Sequence, residues 1–452
     1  VYVPPPAPPS AGPGRRIAII GTGYVGLTAA ACFAWLGHDV ICSDASQERV
    51  ARLRAGDVPI VEDGLPELVL AMVSAGRLSF TTDNRAAVTR AEFVFLCLPT
   101  PDGGDGRADL SFVLRVAAEI GPELVSGAIV VNKSTVPVGT ARLVARQLAR
   151  GDVEVVSNPE FLAEGTALRD FFEPDRVVVG GDSEAAAVAV AALYAGLTPR
   201  IVTTDVTSSE LIKYASNAFL ATKLTFVNSL AAICEAVGAD VASVTAGMGS
   251  DRRIGREFLS PGPGWGGSCF PKDSRALIAT AREFGAPFTL LEAAVAANVE
   301  HRMTILDKLA RLLPGDLDGA RIALWGLTFK AGTDDLRDSP ALQLALALQA
   351  RGARVRAFDP AVRPEIAGIE VVGSPIEACE GAALLLVATE WPEFSEVDLH
   401  AVAEVMAHPV ALDVRNILDP RAAASAGIRY EGIGIRPVAD RAVDRDAERM
   451  AS

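Results

Sequence analysis

One segment constrains this chain more than any other: the β-branched run Ile17-Ala18-Ile19-Ile20, the turn Gly21-Thr22-Gly23-Tyr24-Val25-Gly26, and an Ala-rich stretch from Leu27 to Leu36. From Ile17 to Gly37 there are 21 residues without a charge, which by length alone matches a membrane span. Gly21, Gly23, Gly26 and Gly37 argue instead for a buried strand, a tight turn and a buried helix. No other stretch competes as a span, so a soluble protein without a membrane partner is expected. In that context the glycines have distinct tasks: Gly21 permits the turn, Gly23 lets backbone approach a pyrophosphate, and Gly26 lets helix pack on strand. The helix N-terminus adds donors and a positive dipole for the anion. The second strand ends at Cys42-Ser43-Asp44, where a carboxylate would hold the adenosine ribose hydroxyls and repel a 2′-phosphate. NAD is therefore the expected cofactor. Arg49 reads either as a further cofactor contact or as a solvated helix charge.

Short apolar strands continue in alternation with Ala-rich helical segments: Asp39 to Cys42, Phe93 to Leu98, Ile129 to Asn132, Val153 to Val156 and Val177 to Val179. Such alternation implies a parallel sheet covered by helices on both faces. From about Thr207 the period changes, with Leu211, Ala215, Ala218, Phe219, Leu224, Val227, Leu230, Ala231 and Cys234 recurring at threes and fours. That predicts one long helix opening a helical middle. After a break at Leu313 to Gly319 a second series begins, with strands at Ile322 to Trp325, Val355 to Phe358, Leu384 to Ala388 and Val410 to Val414. The expected class is α/β: two Rossmann-like, doubly wound parallel-sheet domains joined by a helical central domain with a long interdomain helix. Expected boundaries are a disordered Pro-rich tail at 1–14, a dinucleotide-binding domain at 15–205, a helical domain at 206–316, a second Rossmann-like domain at 317–440 and a frayed tail at 441–452.

Charge and thiols exclude several function classes. The net charge of −14, from 42 basic and 56 acidic residues, leaves no basic field for nucleic acid. Six cysteines, at 32, 42, 97, 234, 269 and 379, are never closer than ten residues, so neither a metal site nor a disulfide scaffold is expected. Sparse thiols in a long chain point to a reducing cytoplasm.

Five of those cysteines lie in apolar runs and read as small core residues. Cys269 does not, because it sits in Gly262-Pro263-Gly264-Trp265-Gly266-Gly267-Ser268-Cys269-Phe270-Pro271-Lys272-Asp273. Glycines bring backbone N–H groups close, and Lys272 and Asp273 add a cation and a possible base, the setting of a nucleophilic thiolate. A thiol beside a nicotinamide site suggests aldehyde capture as a thiohemiacetal, a second hydride loss, and hydrolysis of a thioester. Polar groups for that chemistry stand at two predicted strand ends, Ser134 to Thr140 and Asn158 to Glu164, and on the long helix, where Lys213 and Asn217 share a face. Taken alone, Lys213 also fits a snorkelling surface lysine. The second α/β series carries Gly326-Leu327-Thr328-Phe329-Lys330 where dinucleotide glycines would stand, so a second dinucleotide is not expected. Lys330, Arg337 and Arg415 could meet a different phosphate-bearing ligand, or be solvated charges.

Together these residues resemble the nucleotide-sugar 6-dehydrogenases, the UDP-glucose/GDP-mannose dehydrogenase family. The matching segments are Tyr24 to Leu27, Lys133 to Thr140, Asn158 to Leu162, Glu210 to Asn217, Arg253 to Gly255, Gly266 to Asp273 and Phe329-Lys330, spread from residue 16 to about 416. The resemblance implies a four-electron oxidation of UDP-glucose to UDP-glucuronate with two NAD reduced, on a homodimer built around the long helix. It makes Cys269 the nucleophile, Lys213 and Asn217 the oxyanion stabilisers, and Asp273, Thr135 and Glu160 the groups for proton transfer and water positioning. Cofactor contacts implied are Gly21, Gly23, Tyr24, Val25, Gly26, Asp44, Arg49, Thr100, Thr135, Glu164, Lys272 and Arg337. Substrate contacts implied are Glu160, Phe161, Leu162, Glu164, Lys213, Asn217, Phe258, Gly266, Phe329, Lys330 and Arg415, with Arg253 reaching the neighbouring subunit's sugar site. One departure is Asp413-Val414-Arg415-Asn416, where many relatives carry glycine before the arginine. Valine lacks glycine's backbone freedom, which puts the placement of Arg415 and the choice of base in question. The alternatives are a GDP-mannose 6-dehydrogenase, a two-electron hydroxyacid or sugar-phosphate dehydrogenase, and a non-catalytic NAD-responsive binding protein.

Overall fold

The structure, a computed structural model, describes residue 2 and residues 14–104, 106–198 and 200–435. The tails expected at 1–14 and 441–452 lie outside these residues, save Tyr2 and Gly14. The chain divides into two compact units, Val1–Ser216 with Arg275–Pro287, and Asn217–Ser274 with Phe288–Ser452.

The first unit is built on eight strands: β1 Arg16–Ile20, β2 Asp39–Ser43, β3 Leu78–Thr81, β4 Phe93–Leu96, β5 Ile129–Asn132, β6 Glu154–Ser157, β7 Val177–Gly181 and β8 Ile201–Thr204. Their order is β3-β2-β1-β4-β5-β6-β7-β8, with the reversal of winding between β1 and β4, where doubly wound sheets bind ligands. The uncharged stretch from Ile17 is strand, turn and the helix Tyr24–Trp35, as its glycines require. Gly26 is obligatory there, since a Cβ would stand 2.0 Å from the Gly21 carbonyl oxygen. One pair departs from the all-parallel expectation: β6 and β7 are antiparallel, with Val156 opposite Gly181 and Ser157 opposite Gly180. The connection between them holds only the six-residue helix Ala167–Phe172, and the chain returns from the carboxyl edge directly instead of crossing to the amino edge. That leaves Asn158 to Gly165 lying along the ligand-binding edge. Apolar residues pack on both faces of this sheet, around Phe33, Phe95 and Phe171 on one and Val94, Val130 and Ile120 on the other.

The second unit carries β9 Arg321–Trp325, β10 Arg354–Phe358, β11 Ile369–Val371, β12 Leu384–Val387, β13 Val410–Asp413 and β14 Arg429–Gly432. All pairs are parallel, in the order β11-β10-β9-β12-β13-β14, the same winding as the core of the first sheet. Its helical part includes Val241–Gly249 and Thr289–Leu312. Lys308 ties the latter to the sheet, donating to Glu235 at 2.8 Å and to the Gly432 carbonyl at 2.7 Å.

A single helix of 32 residues, Val206–Val237, begins in the first unit and continues in the second. By length and composition it could cross a membrane, so the expectation that no stretch competes with Ile17 to Gly37 is corrected. Its charged residues are nevertheless engaged with protein. Glu210 accepts from the amides of Gly139 and Ala141 at 2.6 and 2.8 Å, at the start of the helix Thr140–Leu148. Burial pushes the Glu210 carboxyl up to about 7 against the pull of those two amides.

Candidate active site

In the first unit the glycine turn and Asp44 form one structure. Gly21 has φ +103°, and a Cβ would lie 2.3 Å from the Cys97 carbonyl oxygen, so only glycine fits. Around Gly23 nothing lies within 4 Å of a would-be Cβ, leaving the open approach that a pyrophosphate needs. Asp44 Oδ2 accepts from the amide and hydroxyl of Thr22 at 2.9 and 2.7 Å, and Oδ1 accepts from the Ser46 amide at 2.9 Å. Burial opposes its ionisation, yet those bonds and the Arg49 charge hold the carboxyl below its ordinary value. Asp44 thus shapes the turn and keeps Oδ1 capacity for a ribose hydroxyl. Arg49 reaches the Thr22 carbonyl at 3.4 Å, which places it at the turn rather than in solvent. Thr100 donates to the Thr135 carbonyl at 2.9 Å, joining the loop after β4 to the loop after β5.

Beside that edge lies a buried ion pair. Lys213 Nζ stands 3.2 Å from Glu160 Oε1, and both side chains are less than a tenth exposed. The snorkelling reading of Lys213 is therefore corrected: its head is inside, paired. Glu160 Oε2 also accepts from the Leu162 amide at 2.7 Å, which folds the Glu160-Phe161-Leu162 segment onto its own carboxylate. The Phe161 ring meets two cations, with Arg176 Cζ 3.6 Å and Lys213 Nζ 5.3 Å from its centroid. A cavity of about 300 Å³ is lined by Lys133, Asn158, Glu160, Phe161, Arg176 and Tyr194 among others. Lys133, which the motif reading left without a task, is buried with its Nζ 3.3 Å from Asn158 Oδ1. Burial pulls its ammonium down to about 8, against the attraction of Glu160.

In the second unit Cys269 is the half-buried cysteine, while Cys234 and Cys379 of that unit and Cys32, Cys42 and Cys97 of the first are buried. It immediately precedes the helix Phe270–Glu283, and its carbonyl accepts from the Asp273 amide at 2.9 Å, so the sulfur sits at the helix N-terminus. The helix dipole there favours negative charge near the sulfur. Asn217 Nδ2 donates to Asp273 Oδ2 at 2.6 Å and Lys272 Nζ to Oδ1 at 2.6 Å, so Asp273, 1% exposed, is gripped on both oxygens.

The loop before Cys269 is laced to two helices. Asn228 accepts from the Gly262 amide, Thr225 from the Trp265 indole and Asn298 from the Trp265 amide, at 2.9, 2.8 and 2.9 Å, and His301 meets the Gly262 carbonyl at 2.7 Å. Sequence reasoning missed these four; their one signal was a polar residue recurring among apolar helix positions. The glycines then admit the sheet loops. A Cβ on Gly266 would lie 2.0 Å from the Asp338 carbonyl oxygen, on Gly267 2.8 Å from the Phe329 ring, and on Gly262 2.8 Å from Arg415 Nη1. Gly266, Phe329 and Arg415 are thus brought to the Cys269 loop, with Lys330 adjoining Phe329.

Val414 causes no displacement. It is buried, its amide extends the ladder to the Val387 carbonyl at 3.0 Å, and the left-handed residue is Asn416 with φ +54°. The position therefore does not need glycine's freedom, and Arg415 is fixed by the Ala388 and Phe329 carbonyls, each at 3.1 Å, and by Glu390 at 2.9 Å. Asp359 occupies the place in this sheet that Asp44 has in the first, accepting from Leu327 and Thr328 amides at 2.7 and 3.1 Å. It is fully buried beside the Trp391 indole and offers nothing to a ribose. Of the remaining expected contacts, Phe258 meets the ring of Phe270, next to Cys269, with centroids 6.4 Å apart. Arg253 is exposed and chelates Asp251, Phe258 is 40% exposed at φ +59°, and Arg337 pairs with Asp335 at 2.7 Å.

Comparison with known proteins matches three consecutive family models. These are the UDP-glucose/GDP-mannose dehydrogenase NAD-binding domain over residues 15–198, the central domain over 207–300 and the UDP-binding domain over 323–420. A UDP-glucose 6-dehydrogenase of Rhizobium meliloti is 45% identical over 93% of this chain and 99% of its own length. One from Pseudomonas aeruginosa is 44% identical over 93% of this chain and 97% of its own. Among solved structures, a UDP-glucose dehydrogenase from Pyrobaculum islandicum superposes with a TM-score of 0.85 at 35% identity, covering 95% of this chain and 99% of that one.

Proposed function

The chain belongs to the UDP-glucose/GDP-mannose dehydrogenase family, and on that premise we propose that it is an NAD-dependent oxidoreductase that converts UDP-glucose to UDP-glucuronate. The observation that carries this reading is that one chain holds both a glycine turn braced by Asp44, in its first unit, and a cysteine at a helix N-terminus, in its second. The open backbone at Gly23 and the remaining acceptor site on Asp44 Oδ1 fit NAD, which Gly21, Gly23, Tyr24, Val25, Gly26, Asp44, Arg49, Thr100, Thr135, Glu164, Lys272 and Arg337 would hold. When bound, NAD supplies the hydride acceptor for each two-electron oxidation of the sugar's C6.

The chain's own groups supply the rest. Asp273, held by Asn217 and Lys272, would exchange a proton with the C6 hydroxyl or a water. Cys269 sulfur adds to the C6 aldehyde as its thiol proton leaves, giving a thiohemiacetal whose oxyanion Lys213 and Asn217, four residues apart on one helix face, stabilise. Loss of hydride from that carbon gives a thioester on Cys269. Water positioned by Glu160 and Thr135 then cleaves the C–S bond, releasing the acid and restoring the thiol. Phe161, Leu162, Phe258, Gly266, Phe329, Lys330 and Arg415 would seat the UDP-sugar, and Arg253 would serve the partner subunit's site.

A homodimer built around the long helix goes with this reading. Phe219, Phe226, Ile233 and Val237 recur along it at seven, seven and four residues, each more than half exposed. Sparse thiols, none in a disulfide among the described residues, suit a reducing cytoplasm.

UDP-glucose and GDP-mannose present the same primary alcohol on different bases and epimers, so a side-by-side assay tests the substrate. The expected outcome is a kcat/KM for UDP-glucose about a hundredfold or more above that for GDP-mannose, the scale of lost base hydrogen bonds. Equal or reversed preference would overturn the assignment.

A further inference from the structure

Glu62 stands in Ile60-Val61-Glu62-Asp63-Gly64, a segment without motif value, and is 5% exposed. Its Oε1 accepts from the Ala167 amide at 2.8 Å, and its Oε2 accepts from the Gly165 amide at 2.7 Å and from the Tyr24 hydroxyl. The Gly165 amide also lies 2.9 Å from the Tyr24 hydroxyl oxygen. Tyr24 opens the helix behind the glycine turn, while Ala163 to Ala167 directly follow Glu160-Phe161-Leu162. One phenol and one carboxylate therefore tie the first turn of the dinucleotide helix to the segment carrying Glu160 and Glu164. Asp170 clamps that segment from its other side, accepting from the Ala163 amide and the Thr166 hydroxyl, each at 2.9 Å. Gly165, at φ +82°, turns its amide into this node. The donors on Glu62 are all neutral hydrogen-bonding groups, so the buried node holds only while each donor stays in place. Burial and the Glu62 charge raise the Tyr24 phenol far above its ordinary value, so the hydroxyl remains a donor.

We propose that Glu62 is a positioning residue which, through Tyr24, couples the two ligands: order imposed on the first helical turn by the dinucleotide is passed to the Glu160–Glu164 segment, so that cofactor and nucleotide sugar bind with positive cooperativity. This rests on the active-site reading above. A role confined to capping the helix Ala167–Phe172 would affect stability without linking the ligands.

Calorimetric titration of the full chain with NADH and UDP-glucose, a pair that does not react, separates these. Each ligand is titrated alone and with the other saturating, and the two enhancement factors must agree by linkage. The wild type should show a factor of about five or more. In Glu62→Gln, whose amide meets a donor instead of accepting from it, and in Tyr24→Phe, which loses only the hydroxyl, the factor should fall to within about twofold of unity. The binary NADH affinity of Glu62→Gln should stay within about threefold of wild type, because Glu62 acts on the segment and not on the pyrophosphate. Tyr24→Phe leaves Glu62 free to cap Ala167 and serves if Glu62→Gln is poorly folded. A wild-type factor of one, or a factor kept in both variants while their thermal midpoints drop, overturns the coupling. Failure of the wild type to bind either ligand overturns the active-site reading and the coupling with it, whereas binding without cooperativity overturns the coupling alone.

Discussion

Cys269→Ser is expected to lose steady-state production of UDP-glucuronate by about 10³-fold or more, the scale expected when a covalent nucleophile is removed. A helix N-terminus and the neighbouring Lys272 can bring a thiol into its nucleophilic form near neutral pH, but the same field cannot ionise a serine hydroxyl, whose intrinsic acidity is far weaker. The first oxidation, alcohol to aldehyde, needs no sulfur. The variant should therefore form NADH without the acid, read by absorbance together with chromatographic assay of the nucleotide sugars. Its thermal midpoint should stay near that of the parent, because Cys269 is half-buried with the Ser268 hydroxyl 3.5 Å away and is no part of a packed core. Full acid production by the serine variant would remove the covalent mechanism.

Lys213→Met should cost both catalysis and stability, and the two losses can be separated. Removing one preorganised donor at a developing oxyanion lowers kcat by about 10²–10³. Glu160 meanwhile loses the ammonium at 3.2 Å, and a buried carboxylate stripped of its partner destabilises a fold by about 3–5 kcal/mol. The double variant Lys213→Met/Glu160→Gln removes the uncompensated charge. It should recover most of the thermal midpoint while kcat stays low. If kcat recovers with stability, Lys213 is a structural partner of Glu160 and nothing more.

Much of this arrangement is legible in the sequence, for reasons that also mark where legibility ends. The strands flanking Gly21 and Gly326 are continuous apolar runs because they lie at the sheet centres, covered on both faces. The four strands that periodicity does not reveal lie at or next to a sheet edge. β8 is Ile-Val-Thr-Thr with its middle residues exposed, β3 Leu-Ser-Phe-Thr merely alternates, β11 has three residues, and β14 is Arg-Tyr-Glu-Gly. The antiparallel turn-back of β7 is invisible too, since strand direction depends on where a connection exits the sheet and not on strand composition. Cys269 stands out because the four glycines before it cannot serve a core element. Glu62 leaves no comparable trace: a single acid in a loop becomes meaningful only when Tyr24 and Gly165, 38 residues before it and 103 after it, converge on its carboxylate. Val414 is the converse case, a departure that sequence comparison makes conspicuous and that costs nothing, because the left-handed turn falls two residues later at Asn416.

The central claim is a four-electron oxidation in which one site removes two hydrides from the same carbon. Counting NADH formed against limiting UDP-glucose consumed, at saturating NAD, tests it most directly. Two NADH per UDP-glucose, with UDP-glucuronate as the product, is the predicted result; one NADH per UDP-glucose, with the aldehyde accumulating in solution, would contradict it.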